Sequence, residues 1–459
     1  MLGYRLTSRT TKLVWASPRW LVPSLQQGEH CRPLSGCYSR KAQASNKHYR
    51  WMVSGLNTRL LSLSGSKLLD QDVCGSWKPK TFSSHHCAFS IRSNPKDAES
   101  DGKSLSLRLG ERHVQVPLLW LRDHCRCQSC YNSSTFQKNV DTYSLDNLAL
   151  LETNVEGDAL SIKWQDGHIT DYSLQWLDQN FYSPGAQVER FLWDGPRMNE
   201  KPVPSTAYEH HVNSDDGLKS TLKNILEYGF CVVEGAPATE EGTLSVTDRI
   251  SFPLETVYGR SSVMVSGEME HSDTAYTSMP LGPHIDTTYC TLPAGIQVFH
   301  CFSHNGQGGE TLLVDGFKAA EKLRRLHLSH FNTLVNTTIP HEYIEGSHYH
   351  LYSLGTVLST DLMTGALTQI RFNPYDRAPL RTVPPQDIPH FYDSYAALTN
   401  IIRSKDSAFW IKLNPGMVLL VDNWRVMHGR SSFTGRRVLN GLYLPRDDWM
   451  SRARAMGLV

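Results

Sequence analysis

The sequence predicts a mainly β protein with inserted helices. A double-stranded β-helix, or jelly-roll, forms the catalytic core, and a small all-β zinc-binding domain precedes it. Three observations predict this. Metal-ligand residue types stand far apart, at His284-Ile285-Asp286 and at His428, so a barrel must bring distant strands together. Short apolar runs follow glycine turns, as in Gly308-Gly309-Glu310-Thr311-Leu312-Leu313-Val314-Asp315-Gly316. Earlier in the chain, apolar residues alternate with polar ones, the period of a half-buried strand.

The chain of 459 residues carries 46 basic and 45 acidic side chains and a net charge of +1, which excludes a nucleic-acid footprint over the whole molecule. No run of about eighteen apolar residues suggests a membrane span. Ten cysteines are too few for a disulfide scaffold at this length and fit a reducing compartment. The first fifty residues differ from the rest. They hold nine Lys or Arg and one acid, Glu29, with Ser and Thr interspersed. That is transit-peptide composition, the alternative being a basic tail with no address. Residues 1–86 are accordingly expected to be a transit peptide and linker without fixed structure.

Residues 87–190 are expected to form the small β domain. Leu105-Leu107-Leu109, Val114-Val116-Leu118 and Leu160-Ile162-Trp164 alternate, and Asp166-Gly167 is a hairpin-type turn. The domain contains Cys125, Cys127 and Cys130. Three thiols this close need one more ligand to enclose a tetrahedral zinc, and His168 at the turn is the candidate. Three free thiols in a loop are the alternative. A linker with Asp194-Gly195-Pro196 and Pro202-Val203-Pro204 is expected over 191–205.

Residues 200–459 are expected to be the catalytic domain. Asp215-Asp216-Gly217 opens an amphipathic helix that Gly229 closes, and Phe230 to Val233 is the next strand. Further helices are expected over 316–327 and 389–403, then strands over 409–413 and 417–421, the last entered through Asn414-Pro415-Gly416. Two imidazoles and one carboxylate are what a mononuclear Fe(II) site requires when the opposite face must stay open. On a strand, His284 and Asp286 would point to the same side. Beyond His428 come Arg436 and Arg437, and an arginine there can hold the far carboxylate of a diacid as a bidentate pair. These residues together suggest an oxygenase using iron and 2-oxoglutarate.

From about Leu118 onward the chain resembles the gamma-butyrobetaine and trimethyllysine dioxygenase family. The match is carried by Trp120 to Cys125, Asp273 to Thr277, Gly295 to Cys301, Leu313 to Phe317, His341 to Glu345 and Asp422 to Arg430. The resemblance implies Fe(II), 2-oxoglutarate as cosubstrate, ascorbate and a structural zinc. It also implies hydroxylation of Nε-trimethyllysine at C3 with release of succinate and CO2, the first step of carnitine synthesis, in the mitochondrial matrix. The expected assembly is a homodimer that acts on a small molecule, binds no nucleic acid and has no membrane span.

The resemblance assigns Arg437, four residues before Gly441, to the cosubstrate, with Thr311 and Phe299 beside it; a strand threonine and a core phenylalanine are their alternatives. Tyr258, Tyr276 and Tyr443 match aromatic positions that would face a quaternary ammonium. Asp273 could pair with an α-ammonium or merely cap a turn, and Asn373 could meet the substrate carboxylate. The chain departs from its relatives after Tyr258-Gly259: Arg260-Ser261-Ser262-Val263 follow, where the relatives carry a tryptophan. The alternatives are gamma-butyrobetaine hydroxylation and a non-catalytic betaine-binding relative.

Overall fold

The computed structural model describes residues 98–141, 145, 148–183, 188–265 and 277–459. The expected transit peptide and linker, Asp273 and Tyr276 all lie outside these residues.

The core of the larger part is two facing sheets. One has six strands, in the order Ser262–Val265, Arg437–Leu444, Ile296–His304, Met417–Asp422, Phe230–Glu234 and Ser205–Ala207. The other has four, in the order Leu281–His284, Val426–Arg430, Thr311–Asp315 and Phe409–Ile411. Neighbouring strands are antiparallel except Ser205–Ala207, which runs parallel to Phe230–Glu234. The two-residue period sorts their side chains. Leu419 and Val421 join Phe230, Val232 and Leu439 in a cluster that meets Leu313, Phe409, Ile411 and Val426 of the smaller sheet. Val418 and Leu420 point the other way, into a cluster with helix Asp215–Tyr228 and with Trp449 of helix Arg446–Ala455. Behind the smaller sheet, Leu312, Val314 and Met427 pack against helices Gly316–Leu326, Leu328–Asn336 and Ile388–Ile402. The architecture is thus the expected mainly β jelly roll with inserted helices.

Helix Asp215–Tyr228 begins where Ser214 Oγ accepts the Gly217 N–H at 3.0 Å and ends at Gly229, whose φ of 82° is left-handed. The segment read as a linker is built into the core. Asp194 caps a short helix, Gly195–Asn199, and Trp193 is 1% exposed, its indole N–H donating to the Tyr228 carbonyl at 2.7 Å. Its Gly and Pro are helix-start residues there, and the apolar Trp193 decides the burial. Beneath it lies a buried ion pair. Arg425 Nη2 meets Asp315 Oδ2 at 2.9 Å, and the same oxygen accepts the Trp193 N–H. Asp315 Oδ1 caps helix Gly316–Leu326, while Arg425 also donates to the carbonyls of Phe191 and Glu227.

In the first part, strands Ala98–Ser100, Ser104–Leu109 and Arg112–Pro117 form one antiparallel sheet, and Leu150–Glu156, Ala159–Trp164 and Ile169–Ser173 another. Leu105, Leu107, Leu109, Leu160, Ile162 and Trp164 share a core, as their alternation requires. The part is not wholly β. Pro117 ends its strand, so Leu118 opens helix Leu118–Asp123 instead of completing the alternation, and Ser173 caps a second helix, Leu174–Asn180. Among the described residues no helix is long and apolar enough to cross a membrane.

Candidate metal centre and active site

Strand Leu281–His284 lies beside Val426–Arg430 in a register that sets His284 opposite His428. Their rings stand 4.4 Å apart between centroids. Asp286 comes between their outer nitrogens, with Oδ1 at 3.1 Å from His284 Nε2 and Oδ2 at 3.5 Å from His428 Nε2. One ligand atom from each residue thus falls within 4.8 Å of the others. His284 Nδ1 is 2.9 Å from the Gly282 carbonyl, so Nδ1 carries a proton there and Nε2 is the nitrogen that would meet a cation. Burial opposes the charge of Asp286, yet His428 and His284 hold its carboxyl well below the usual carboxylate range. Two neutral-capable imidazoles and a fixed carboxylate suit a divalent iron.

Asp286 reaches this place differently from the strand alternation the sequence suggested. The strand ends at His284, and Asp286 opens a turn in which Thr287 has a φ of 57°. A buried amide fixes that turn. Asn423 Oδ1 accepts the Asp286 N–H at 3.0 Å, and its Nδ2 donates to the carbonyls of Asp286 and Ala294 at 3.0 and 3.1 Å. Sequence reasoning passed over Asn423, although a polar side chain able to donate and accept, next to a buried strand, was the available signal.

The three residues line a cavity of about 290 Å³. Arg437, Leu439, Gly441 and Tyr443 alternate along one strand and all face it, as do Gln297 and Phe299 on the next. The Phe299 ring meets His428 edge-on at 5.0 Å. Thr311, Tyr258 and Asn373 also line the cavity. Arg437 is 7% exposed, and burial pulls the pKa of its guanidinium down. Tyr443 does more than offer a ring: its hydroxyl donates to Asp286 Oδ2 at 3.0 Å. The Asn373 amide hydrogens already have acceptors, Ile285 O at 3.1 Å and Asp376 Oδ2 at 2.6 Å, which leaves that side chain organising its own turn. Tyr343, unassigned from the sequence, stands 5.8 Å from Tyr258 and 5.1 Å from Tyr289 between ring centroids. It gives Tyr258 an aromatic neighbour although Arg260 and Ser261 follow in the chain.

In the first part, His168 Nε2 lies 3.3, 3.6 and 3.6 Å from the sulfurs of Cys125, Cys127 and Cys130. A tetrahedral zinc with ordinary Zn–S and Zn–N bonds separates such atoms by about 3.6 Å. Thr170 Oγ1 donates to Cys125 Sγ at 3.3 Å and Arg122 Nη1 to Cys130 Sγ at 3.2 Å, contacts that would stabilise thiolates. Without a cation, burial pushes Cys125 up to about 11 and His168 down.

Residues 201–443 match the family described as Taurine catabolism dioxygenase TauD, TfdA family, and residues 97–178 match Gamma-butyrobetaine hydroxylase-like, N-terminal. The chain belongs to this dioxygenase family. Among its curated relatives, the mitochondrial trimethyllysine dioxygenase of Gallus gallus is 40% identical over 87% of this chain and 95% of its own length. The mitochondrial trimethyllysine dioxygenase of Homo sapiens is 44% identical over 77% and 85%. The human gamma-butyrobetaine dioxygenase is 28% identical over 75% and 92%.

Proposed function

We propose that this chain is an Fe(II)- and 2-oxoglutarate-dependent oxygenase that hydroxylates Nε-trimethyllysine at C3, the first step of carnitine synthesis. The observation that carries the reading is the convergence of His284, Asp286 and His428 in a cavity that also holds a buried Arg437 and several tyrosines. Bound iron would activate O2, with 2-oxoglutarate as the two-electron reductant: one oxygen atom would enter the substrate C–H bond as a hydroxyl and the other would enter succinate as CO2 is released. The protein's part is to orient and to exclude water. His284 and His428 offer Nε2, and Asp286 offers the charge. Arg437 pairs with the far carboxylate of the cosubstrate, flanked by Thr311 and Phe299. Tyr258, Tyr276 and Tyr443 face the quaternary ammonium, and Tyr343 joins them. Asp273 pairs with the α-ammonium, while Asn373 borders the substrate by ordering its turn.

Relatives at 40% and 44% identity named for trimethyllysine, against 28% for gamma-butyrobetaine, favour the first substrate. The complete ligand triad favours turnover over a non-catalytic binding role. Cys125, Cys127, Cys130 and His168 hold a structural zinc, supported by their spacing. Ascorbate as the reductant that keeps iron ferrous, a homodimer, and residence in the mitochondrial matrix complete the proposal. The relatives' mitochondrial names and the basic N-terminus support the last.

The test is succinate formation by purified protein with Fe(II), 2-oxoglutarate and each compound in turn. Trimethyllysine should drive it and yield a hydroxylated product. Preference for gamma-butyrobetaine would overturn the substrate, and binding without succinate would overturn catalysis.

A further inference from the structure

We infer that Asp376 is a second recognition carboxylate of the pocket and pairs with the α-ammonium of the substrate. The inference rests on reading the site as a trimethyllysine hydroxylase and goes beyond it by naming a specificity determinant that the sequence did not single out. Asp376 lines the cavity together with His284, Asp286, Tyr258 and Tyr289. Asn373 Nδ2 donates at once to Asp376 Oδ2, at 2.6 Å, and to the carbonyl of Ile285, at 3.1 Å. Ile285 sits between the metal-centre residues His284 and Asp286. The carboxylate is therefore one amide group away from the backbone that carries the metal centre.

The carboxylate is also held firmly. Asn373 Oδ1 accepts the N–H groups of Tyr375 and Asp376 at 2.9 and 3.3 Å. The Glu342 N–H donates to Asp376 O at 2.9 Å, and the Ala378 N–H to Pro340 O at 3.1 Å. This turn is thereby joined to strand Thr338–Glu345, which carries Tyr343.

The substrate carries a cationic group that this carboxylate can accept beside its protein partners. Hydroxylation at C3 places C3 against the metal. The α-nitrogen is separated from C3 by a single carbon, so it must lie close to the metal ligands. The quaternary nitrogen lies at the far end of the side chain. It has no N–H to donate, and its methyl shell suits tyrosine faces better than a hydrogen-bonding carboxylate. An anion fixed beside the proposed metal centre matches the primary ammonium and its three N–H donors. Gamma-butyrobetaine lacks that group and would meet the carboxylate with nothing to pair.

The experiment compares full-length wild type and Asp376→Asn, with Fe(II) and 2-oxoglutarate, on trimethyllysine and on the same compound without its α-amino group. Asparagine keeps an oxygen for the Asn373 amide, and a thermal midpoint near that of wild type checks that the turn survives. For trimethyllysine, kcat/KM should fall about 10- to 100-fold, the loss of a charge-assisted bond. The KM for 2-oxoglutarate and turnover of the deaminated compound should hold, and Asp376→Glu should recover part of the loss. An equal loss on both compounds, or no loss on trimethyllysine, overturns the pairing. If wild type forms no succinate with trimethyllysine, the assigned reaction fails. Calorimetric binding then reads the pairing separately, and a loss confined to the amine-bearing compound upholds it.

Discussion

Asp286 is gripped from two directions, its carboxylate by Tyr443 and the two imidazoles and its backbone by Asn423. If His284, Asp286 and His428 are the metal ligands as proposed, replacing any of them by Ala should abolish both hydroxylation and Fe(II) retention. Full activity in one of these variants would take that residue out of the centre. Tyr443→Phe keeps the ring and deletes the hydroxyl. It should weaken Fe(II) retention by about 1–3 kcal/mol while the KM for trimethyllysine stays within about two-fold. A raised KM with unchanged iron binding would leave Tyr443 a cage residue only. Arg437→Ala should raise the 2-oxoglutarate requirement far more than that for trimethyllysine, by about 1.5–3 kcal/mol, and an unchanged requirement would move the anchor to Arg436 or elsewhere. At this scale the sequence discloses groups whose chemistry is rare inside proteins, such as His-x-Asp with a distant histidine. Tyr343 and Asp376 stay hidden, since an aromatic on a strand reads as core and an acid beside Asn373-Pro374 reads as a turn.

The helix over residues 215–228 is legible because capping is local: Ser214, the acidic pair after it and Gly229 all act within a turn of the helix ends. The segment around Trp193 is not, because its burial depends on Asp315 and Tyr228, far along the chain. Helix Leu328–Asn336 is missed for a related reason: His330, Asn332 and Thr333 interrupt its apolar stripe, and packing on Ile388–Ile402 compensates. The cysteine element is legible by spacing alone. Metal analysis should find one zinc per chain, and chelation should lower the melting temperature while leaving the iron centre's ligands in place. Because burial raises Cys125 to about 11, the proposed zinc would have to displace its proton. Zinc release should therefore grow as pH falls, and retention independent of pH, or protein purified without chelator and free of zinc, would refute the site.

Asp315 and Arg425 join elements that are remote in sequence: the entry segment through Trp193 and Phe191, helix Asp215–Tyr228 through Glu227, and the smaller sheet. Asp315→Asn leaves a buried guanidinium without its charge partner and should cost about 3–5 kcal/mol of stability, seen as a lower urea midpoint. A shift below about 1 kcal/mol would mean that the carbonyls alone satisfy Arg425. The order of strands in the larger sheet bears on how the chain is made. Arg437–Leu444, synthesised well after both of its neighbours, lies between Ser262–Val265 and Ile296–His304. On the ribosome the sheet must wait with its middle missing. Ile296–His304 then presents a bare hydrogen-bonding edge until that later strand arrives, and nascent chains are most exposed to sticking together in that interval.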